Sequence, residues 1–272
     1  MLFVKSSDDI SFRQHNLRAY EAGINSGDPV VNTPGFWGKY HYVSGSGKNR
    51  GVVYGADSDI NGLSLGLDGQ MNDQLILGVG FGYHQAKLTA KDIEQQITSN
   101  YYTVSVYSSW TNREWFVDGT LLYSYGSSDF KHSVSNLFYK ADGIKQHLWG
   151  GSIASGYQVK YDKLMLESVL QCNYLKGKFD GYKEKKSGIF AQQVKNKDVE
   201  SVDLGIGCRL SENYLLDKGL LTPTIQLMGY HDFNNDTAEA QVCLIGSDTW
   251  VSLYGNDKKQ NRLLAGAGLH IR

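Results

Sequence analysis

The chain has 272 residues, which fits one large domain or two small ones, and β barrels of this size commonly form a single domain. Lys and Arg number 27 against 28 Asp and Glu, so no basic excess points to nucleic acid. Cys172, Cys208 and Cys243 form no C-x-x-C pair or Cys/His cluster, which supports neither a disulfide framework nor a metal site, and no run of about 18 apolar residues offers a transmembrane helix. MLFVK at the start is too short for a signal peptide.

Residues 6–26, SSDDISFRQHNLRAYEAGINS, predict a helix. Ser6 or Ser7 can cap it, and Asp8 and Asp9 suit a helix N-terminus. Ile10, Leu17 and Ile24 repeat every seventh residue, but the rest is too polar for a core or for lipid. A wet, polar cavity suits such a helix. Gly27-Asp28-Pro29 and Asn32-Thr33-Pro34 then break the chain.

From Gly35 onward the apolar residues alternate, and 31 glycines with only 3 prolines suit long strands. The alternation predicts ten strands, at roughly 36–43, 59–70, 74–87, 99–111, 114–127, 146–160, 164–176, 199–211, 219–233 and 261–272. Most reach the ~9–11 residues that a tilted membrane-crossing strand needs. The even-numbered connections are short, such as MNDQ, TNRE and YDK. The odd ones are long and polar, including a Lys-rich stretch from Lys176 to Asp198 and another from Asn234 to Gln260. In an up-and-down sheet this puts tight turns at one end and long loops at the other, the asymmetry of outer-membrane barrels.

The two faces of each strand differ in kind. Leu63, Leu65 and Leu67 oppose Ser64, Gly66 and Asp68, while Leu75, Leu77, Val79, Phe81 and Tyr83 oppose Gly78, Gly80, Gly82 and His84. In the eighth strand Val202, Leu204, Ile206, Cys208 and Leu210 oppose Asp203, Gly205, Gly207 and Arg209. Trp37, Tyr83, Trp110, Trp115 and Tyr157 lie near strand ends, where interfacial girdles would use them. The fold expected is all-β: an up-and-down antiparallel transmembrane β-barrel, closed because an open edge in hydrocarbon leaves peptide groups unpaired.

These segments, in this order, resemble the C-terminal translocator β domain of autotransporters (type V secretion). NSGD at 25–28 and GFWGKYHY at 35–42 look like that family's linker end and first strand. INGLSLGLDGQMNDQLILGVGFGY at 60–83 looks like its second hairpin, with Gly62, Gly66, Asp68, Leu77, Gly78 and Tyr83 at the matching positions. YYTVSVYSSW, WFVDGTLLYSY and LTPTIQLMGYHDF fit its fourth, fifth and ninth strands. KFDGYKEK at 178–185 resembles the surface-cell-antigen group. The resemblance implies a 12-stranded barrel with a helix through the pore. Residues 1–34 are then the linker and pore helix, and 35–272 the barrel. With ten strands visible, it also implies truncation at both ends, without a signal peptide, passenger or final hairpin.

The implied function is export and anchoring of an N-terminal passenger at the bacterial outer membrane. Its partners are outer-membrane lipid, the outer-membrane assembly machinery and the passenger, with no cofactor and no nucleic acid. The lumen-facing candidates are Ser64, Asp68, Asp118, Glu167, Gln171, Asp203 and Arg209, which would hold the helix. Some family members cut their own passenger inside the barrel with acidic groups and an Asn; Asn16, Asn25 and Asn32 are the asparagines available.

Competing motifs are weaker. GLSLG at 62–66 satisfies Gly-x-Ser-x-Gly, but a nucleophile elbow needs a strand-to-helix turn and Ser64 sits mid-strand. Gly45-Ser46-Gly47-Lys48 lacks the upstream Gly and the following Ser or Thr of a phosphate loop. His231-Asp232 is the nearest match to an outer-membrane protease pair. A barrel enzyme, a simple porin and, more remotely, a soluble β sandwich are the alternative readings. Cys172 and Cys208 are expected to face lipid.

Overall fold

The computed structural model describes residues 2–23, 35–48, 54–134, 137–185, 190–216, 219–234, 239–254 and 260–271. Among the described residues, helix α1 (Leu2–Gly23) precedes fifteen strands. The first seven are β1 (Gly35–Ser46), β2 (Ala56–Asn72), β3 (Leu75–Ala90), β4 (Gln95–Asn112), β5 (Trp115–Val134), β6 (Leu137–Tyr161) and β7 (Leu164–Phe179). Then come β8 (Tyr182–Lys183), β9 (Gln192–Val194), β10 (Lys197–Glu212), β11 (Tyr214–Leu216) and β12 (Gly219–Asp232). The last are β13 (Glu239–Leu244), β14 (Val251–Tyr254) and β15 (Asn261–Ile271).

Ten long strands form one antiparallel wall in the order β1–β7, β10, β12, β15, and short β11 also pairs with β12. The ten strands read from the alternation correspond to these ten. All but β12 and β15 are longer than read, because they run on past the apolar band into polar sequence where alternation fades. Two-residue hairpins at Arg113 and Asp162 put those residues at φ 55° and 53°, the left-handed geometry that matches strand twist in tight hairpins.

The wall curves around α1. Asp9 meets Lys39 of β1, Arg18 meets Glu167 of β7, and Arg209 of β10 reaches Ser11. The Phe12 ring fills the space over Gly268 of β15. One helix reaches both ends of the sheet only if the sheet rolls about it. No ladder joins β1 to β15 among the described residues, so there the wall is a trough with α1 in it rather than a sealed tube.

Glycines on the inward face make room for rings from the neighbouring strand. Trp37 lies over Gly66, Tyr107 over Gly78, Tyr101 over Gly126 and Tyr230 over Gly205, and a Cβ at any of these glycines would overlap the ring. Trp37 therefore departs from the girdle expectation. It is buried and donates from Nε1 to the Tyr107 hydroxyl at 2.7 Å. The outward aromatics do form two rows. Tyr83, Tyr102 and Tyr125 stand opposite one another at one level, and Trp115 packs edge-on against Tyr157 at the turn end.

Between the rows lie outward Leu, Val and Ile: Leu63, Val79, Val104, Leu121, Ile153, Leu170 and Ile206 are all exposed. From Trp115 to Tyr125 on β5 is ten steps, which at ~3.3 Å per residue and a tilt of ~40° spans about 25 Å, the height of an outer-membrane apolar band. Cys172 and Cys208 are exposed on this surface, as expected.

At the long-loop end the structure adds what the sequence reading left as loops. Strands β8, β9, β13 and β14 form a second sheet in the order β14–β13–β9–β8. An antiparallel bridge between Lys140 and Lys185 ties it to the wall. His132 bonds Glu184 at 2.6 Å, and Cys243 is buried within this sheet. Burial, with the Glu184 carboxylate nearby, pushes the Tyr182 phenol up to about 12. Lys176 and Lys178, read as loop residues, belong to β7.

Candidate functional site: the helix-filled lumen

Helix α1 is buried on every side yet polar on nearly every side. Ser7, Asp9, Ser11, Arg13, Gln14, His15, Asn16 and Arg18 are all buried. Their partners come from seven strands, which is why a helix without an apolar stripe can be covered. At 100° per residue, Asp9 and Arg13 share one face and Ser11, Gln14, His15 and Arg18 share another.

On the first face, Arg13 grips Asp68 of β2 in a two-pronged pair, Nε to Oδ2 at 2.7 Å and Nη2 to Oδ1 at 2.8 Å. The Tyr107 hydroxyl donates to the same Oδ2 at 2.8 Å. Fork-to-carboxylate geometry of this kind is strong and fixes orientation. One turn earlier, Asp9 accepts the Ser64 hydroxyl at 3.3 Å and stands 2.9 Å from Lys39 Nζ and 3.1 Å from His41 Nδ1.

On the second face, Glu167 of β7 is fully buried and takes three groups from α1 and the wall. Arg18 Nε lies 2.8 Å from Oε1, and His15 Nδ1 lies 2.7 Å from Oε2. Because an ionised carboxylate only accepts, His15 donates here through Nδ1. Arg209 Nη1 stands 3.7 Å from Oε2, and its Nη2 donates to the Ser11 hydroxyl at 2.6 Å. Arg18 Nη1 also donates to Asp118 Oδ1 at 2.6 Å and to Ser109 Oγ at 2.9 Å, while its guanidinium lies over Phe116 at 3.9 Å. Four cations (Arg13, Arg18, Lys39, Arg209) thus meet four carboxylates (Asp9, Asp68, Asp118, Glu167) in the wall and helix together.

Ser64, Asp68, Asp118, Glu167 and Arg209 therefore all converge on α1. Gln171 and Asp203 are buried but stand apart from it. Gln171 donates from Nε2 to Asn173 Oδ1 and accepts the Tyr230 hydroxyl at Oε1, and Asp203 takes Asn173 at 2.6 Å and Arg262 at 3.7 Å. The helix side of the interface, Asp9, Arg13, His15 and Arg18, was not singled out by sequence reasoning. Its signal was there: paired charges in a segment too polar for any dry contact. The spacing of those charges is meaningful only once the wall supplies partners.

Neither hydrolytic motif assembles a catalytic arrangement. The Ser64 hydroxyl is committed to Asp9. His231 and Asp232 are neighbours on β12 and point to opposite faces, where they bond Asn261 and Ser201 respectively. Among the described residues no cluster of His, Cys, Asp and Glu fits a metal ion. Asn16 is buried in α1, and Asn25 and Asn32 lie outside the described residues.

The model of the family described as "Autotransporter beta-domain" matches residues 36–272. The chain belongs to that family. It is an outer-membrane translocator domain of a bacterial autotransporter. Outer membrane protein B of Rickettsia rickettsii is similar, 21% identical over 248 residues, covering 85% of this chain and 15% of the relative. Outer membrane protein A of Rickettsia conorii is 23% identical, covering 96% of this chain and 14% of the relative. The autotransporter β domain thus spans about a seventh of the length of these curated relatives. The translocator domain of the autotransporter NalP from Neisseria meningitidis shares the fold, with a TM-score of 0.64 at 14% identity over 97% of this chain and 96% of that one. The transport unit of AIDA-I from Escherichia coli does so with a TM-score of 0.56 at 14% identity, over 94% and 86%.

Proposed function

We propose that this domain works by passage and anchorage, without catalysis. Residues 35–272 form the conduit, inserted with the outer-membrane assembly machinery. An N-terminal passenger leaves through it, and residues 1–34 remain as linker and pore helix, with α1 filling the conduit. The observation that carries the reading is α1 held by buried pairs to β2, β5 and β7. A polar wall suits transit, because it gives a passing apolar segment nothing to adhere to. It also suits retention, because the helix that stops there finds partners for Asp9, Arg13 and Arg18. Asp68, Asp118 and Glu167 are the groups that hold it, Ser64 and Arg209 support them, and Gln171 and Asp203 order the wall beyond it.

Removing residues 1–26 and recording single-channel conductance in planar bilayers tests the plug. Conductance rises sharply if α1 fills the conduit, and an unchanged trace overturns the assignment. An epitope fused ahead of residue 1 tests export: it becomes protease-accessible on intact cells, and persistent protection refutes passage. Replacing Ser64 and His231 with Ala leaves peptide and lipid hydrolysis at the same blank level, and any loss of a measurable activity would restore the barrel-enzyme reading.

A further inference from the structure

A row of cations on the outer surface has no part in translocation. The strand register sets Thr89, Gln96, Lys131, Lys140 and Lys185 opposite one another in turn, across β3, β4, β5, β6 and the bridge beside β8. Residues directly opposite on antiparallel strands share a face, and like charges so placed repel. Asp142 answers two of the lysines, at 3.3 Å from Lys140 and 3.2 Å from Lys185. Lys131 has no ion pair among the described residues.

Elsewhere on the same surface the register neutralises lysines. Lys176 and Lys178 of β7 stand opposite Glu200 and Asp198 of β10. In the row three lysines share one carboxylate, Asp142, and the row borders a cavity of about 840 Å³. Ile93, Gln95, Ser133 and Phe138 also line that cavity, and so does one carboxylate, Glu94. The volume is within the range of small-molecule sites and far larger than a lone phosphate requires.

Height narrows the ligand. The row lies six residues beyond the Tyr102–Tyr125 level, which for a tilt of ~40° is about 15 Å above the apolar band. The headgroup layer of a simple phospholipid leaflet is only ~5–8 Å thick. A phosphate at the row must be carried on something that stands taller. We propose that Lys131, Lys140 and Lys185 bind the phosphorylated sugar headgroup of an outer-leaflet glycolipid. The ammonium groups meet its phosphates, and Thr89, Gln96 and Ser133 offer hydrogen bonds to its hydroxyls. The proposal needs outer-membrane placement alone and does not depend on passage of a passenger.

The test uses the full chain folded in detergent micelles. Binding is measured to lipid A bearing phosphorylated core sugars, to the same glycolipid after phosphatase treatment, and to phosphatidylglycerol. The phosphorylated glycolipid binds tightest and in a salt-dependent way. The triple variant K131Q/K140Q/K185Q loses about 10- to 100-fold in affinity, the scale set by roughly one surface lysine's attraction per site removed. The corresponding triple Arg variant retains binding, and K176Q/K178Q stays within about twofold of the parent, because neither lysine lines the cavity. Folding of each variant is checked by heat-dependent gel mobility. Equal affinity for the dephosphorylated glycolipid or for phosphatidylglycerol, wild-type affinity in the triple Gln variant, or displacement by equimolar inorganic phosphate would each overturn the proposal.

Discussion

The two faces of a single strand in this wall live by opposite rules. On β5, Asp118 and Thr120 point inward and are buried among polar groups, while Val117 and Leu121 point outward and are exposed. Outside, the solvent is lipid, so any hydrophobe of suitable size serves and specificity is low. Inside, each charge must find its partner, so identity is exacting. A side chain's neighbours, rather than its exposure, determine which substitution is tolerated.

The sharpest way to break the comparison is at Arg18. Arg18→Met removes the cation shared by Asp118 and Glu167, and leaving buried carboxylates unpaired costs about 3–5 kcal/mol. Denaturant unfolding of the micelle-folded chain measures it. Adding Glu167→Gln to Arg18→Met should recover part of the loss in a double-mutant cycle, since the uncompensated charge goes too. Purely additive losses would show that the pair is not coupled.

On the opposite face, Leu121→Arg places a charge near the middle of the band and should cost roughly 2–4 kcal/mol. Leu121→Ile, by contrast, should be close to neutral. If Leu121→Arg unfolds at the parent's denaturant concentration in lipid, that surface does not face hydrocarbon.

Gly78→Ala is a smaller test of the inner face. The new methyl meets the Tyr107 ring, and overpacking of this sort costs about 1–3 kcal/mol. Gly69→Ala, where the added carbon meets nothing within 4 Å, serves as the matched control in the same unfolding series. The smallest effect belongs to Cys172→Ala, expected within about 0.5 kcal/mol as an outward change in lipid. Thiol labelling sharpens the same point. A maleimide labels Cys172 and Cys208 slowly in the membrane-inserted chain, because the reactive thiolate does not form in hydrocarbon, and it labels all three cysteines readily after unfolding.

Much of this was legible in the chain itself. Alternation of Leu63, Leu65 and Leu67 with Ser64, Gly66 and Asp68 fixes which face meets lipid, because a period of two is a property of the extended backbone and needs no tertiary context. Turn lengths set the up-and-down order for the same local reason. The polarity of SSDDISFRQHNLRAYEAG excludes a dry contact for α1, and five of the seven lumen candidates do meet it.

Tertiary structure decided the rest. That Arg13 takes Asp68 while Arg18 divides itself between Asp118 and Glu167 depends on helix rotation and depth, and the chain's local pattern encodes neither. Trp37 looked like a girdle residue by position, but the empty space over Gly66 on the next strand drew it inward. The sheet of β8, β9, β13 and β14 joins segments some fifty residues apart, so no window of local periodicity contains it. The lysine row exists only through the register of neighbouring strands. Local periodicity settles which way a side chain faces, and long-range pairing settles what it meets there.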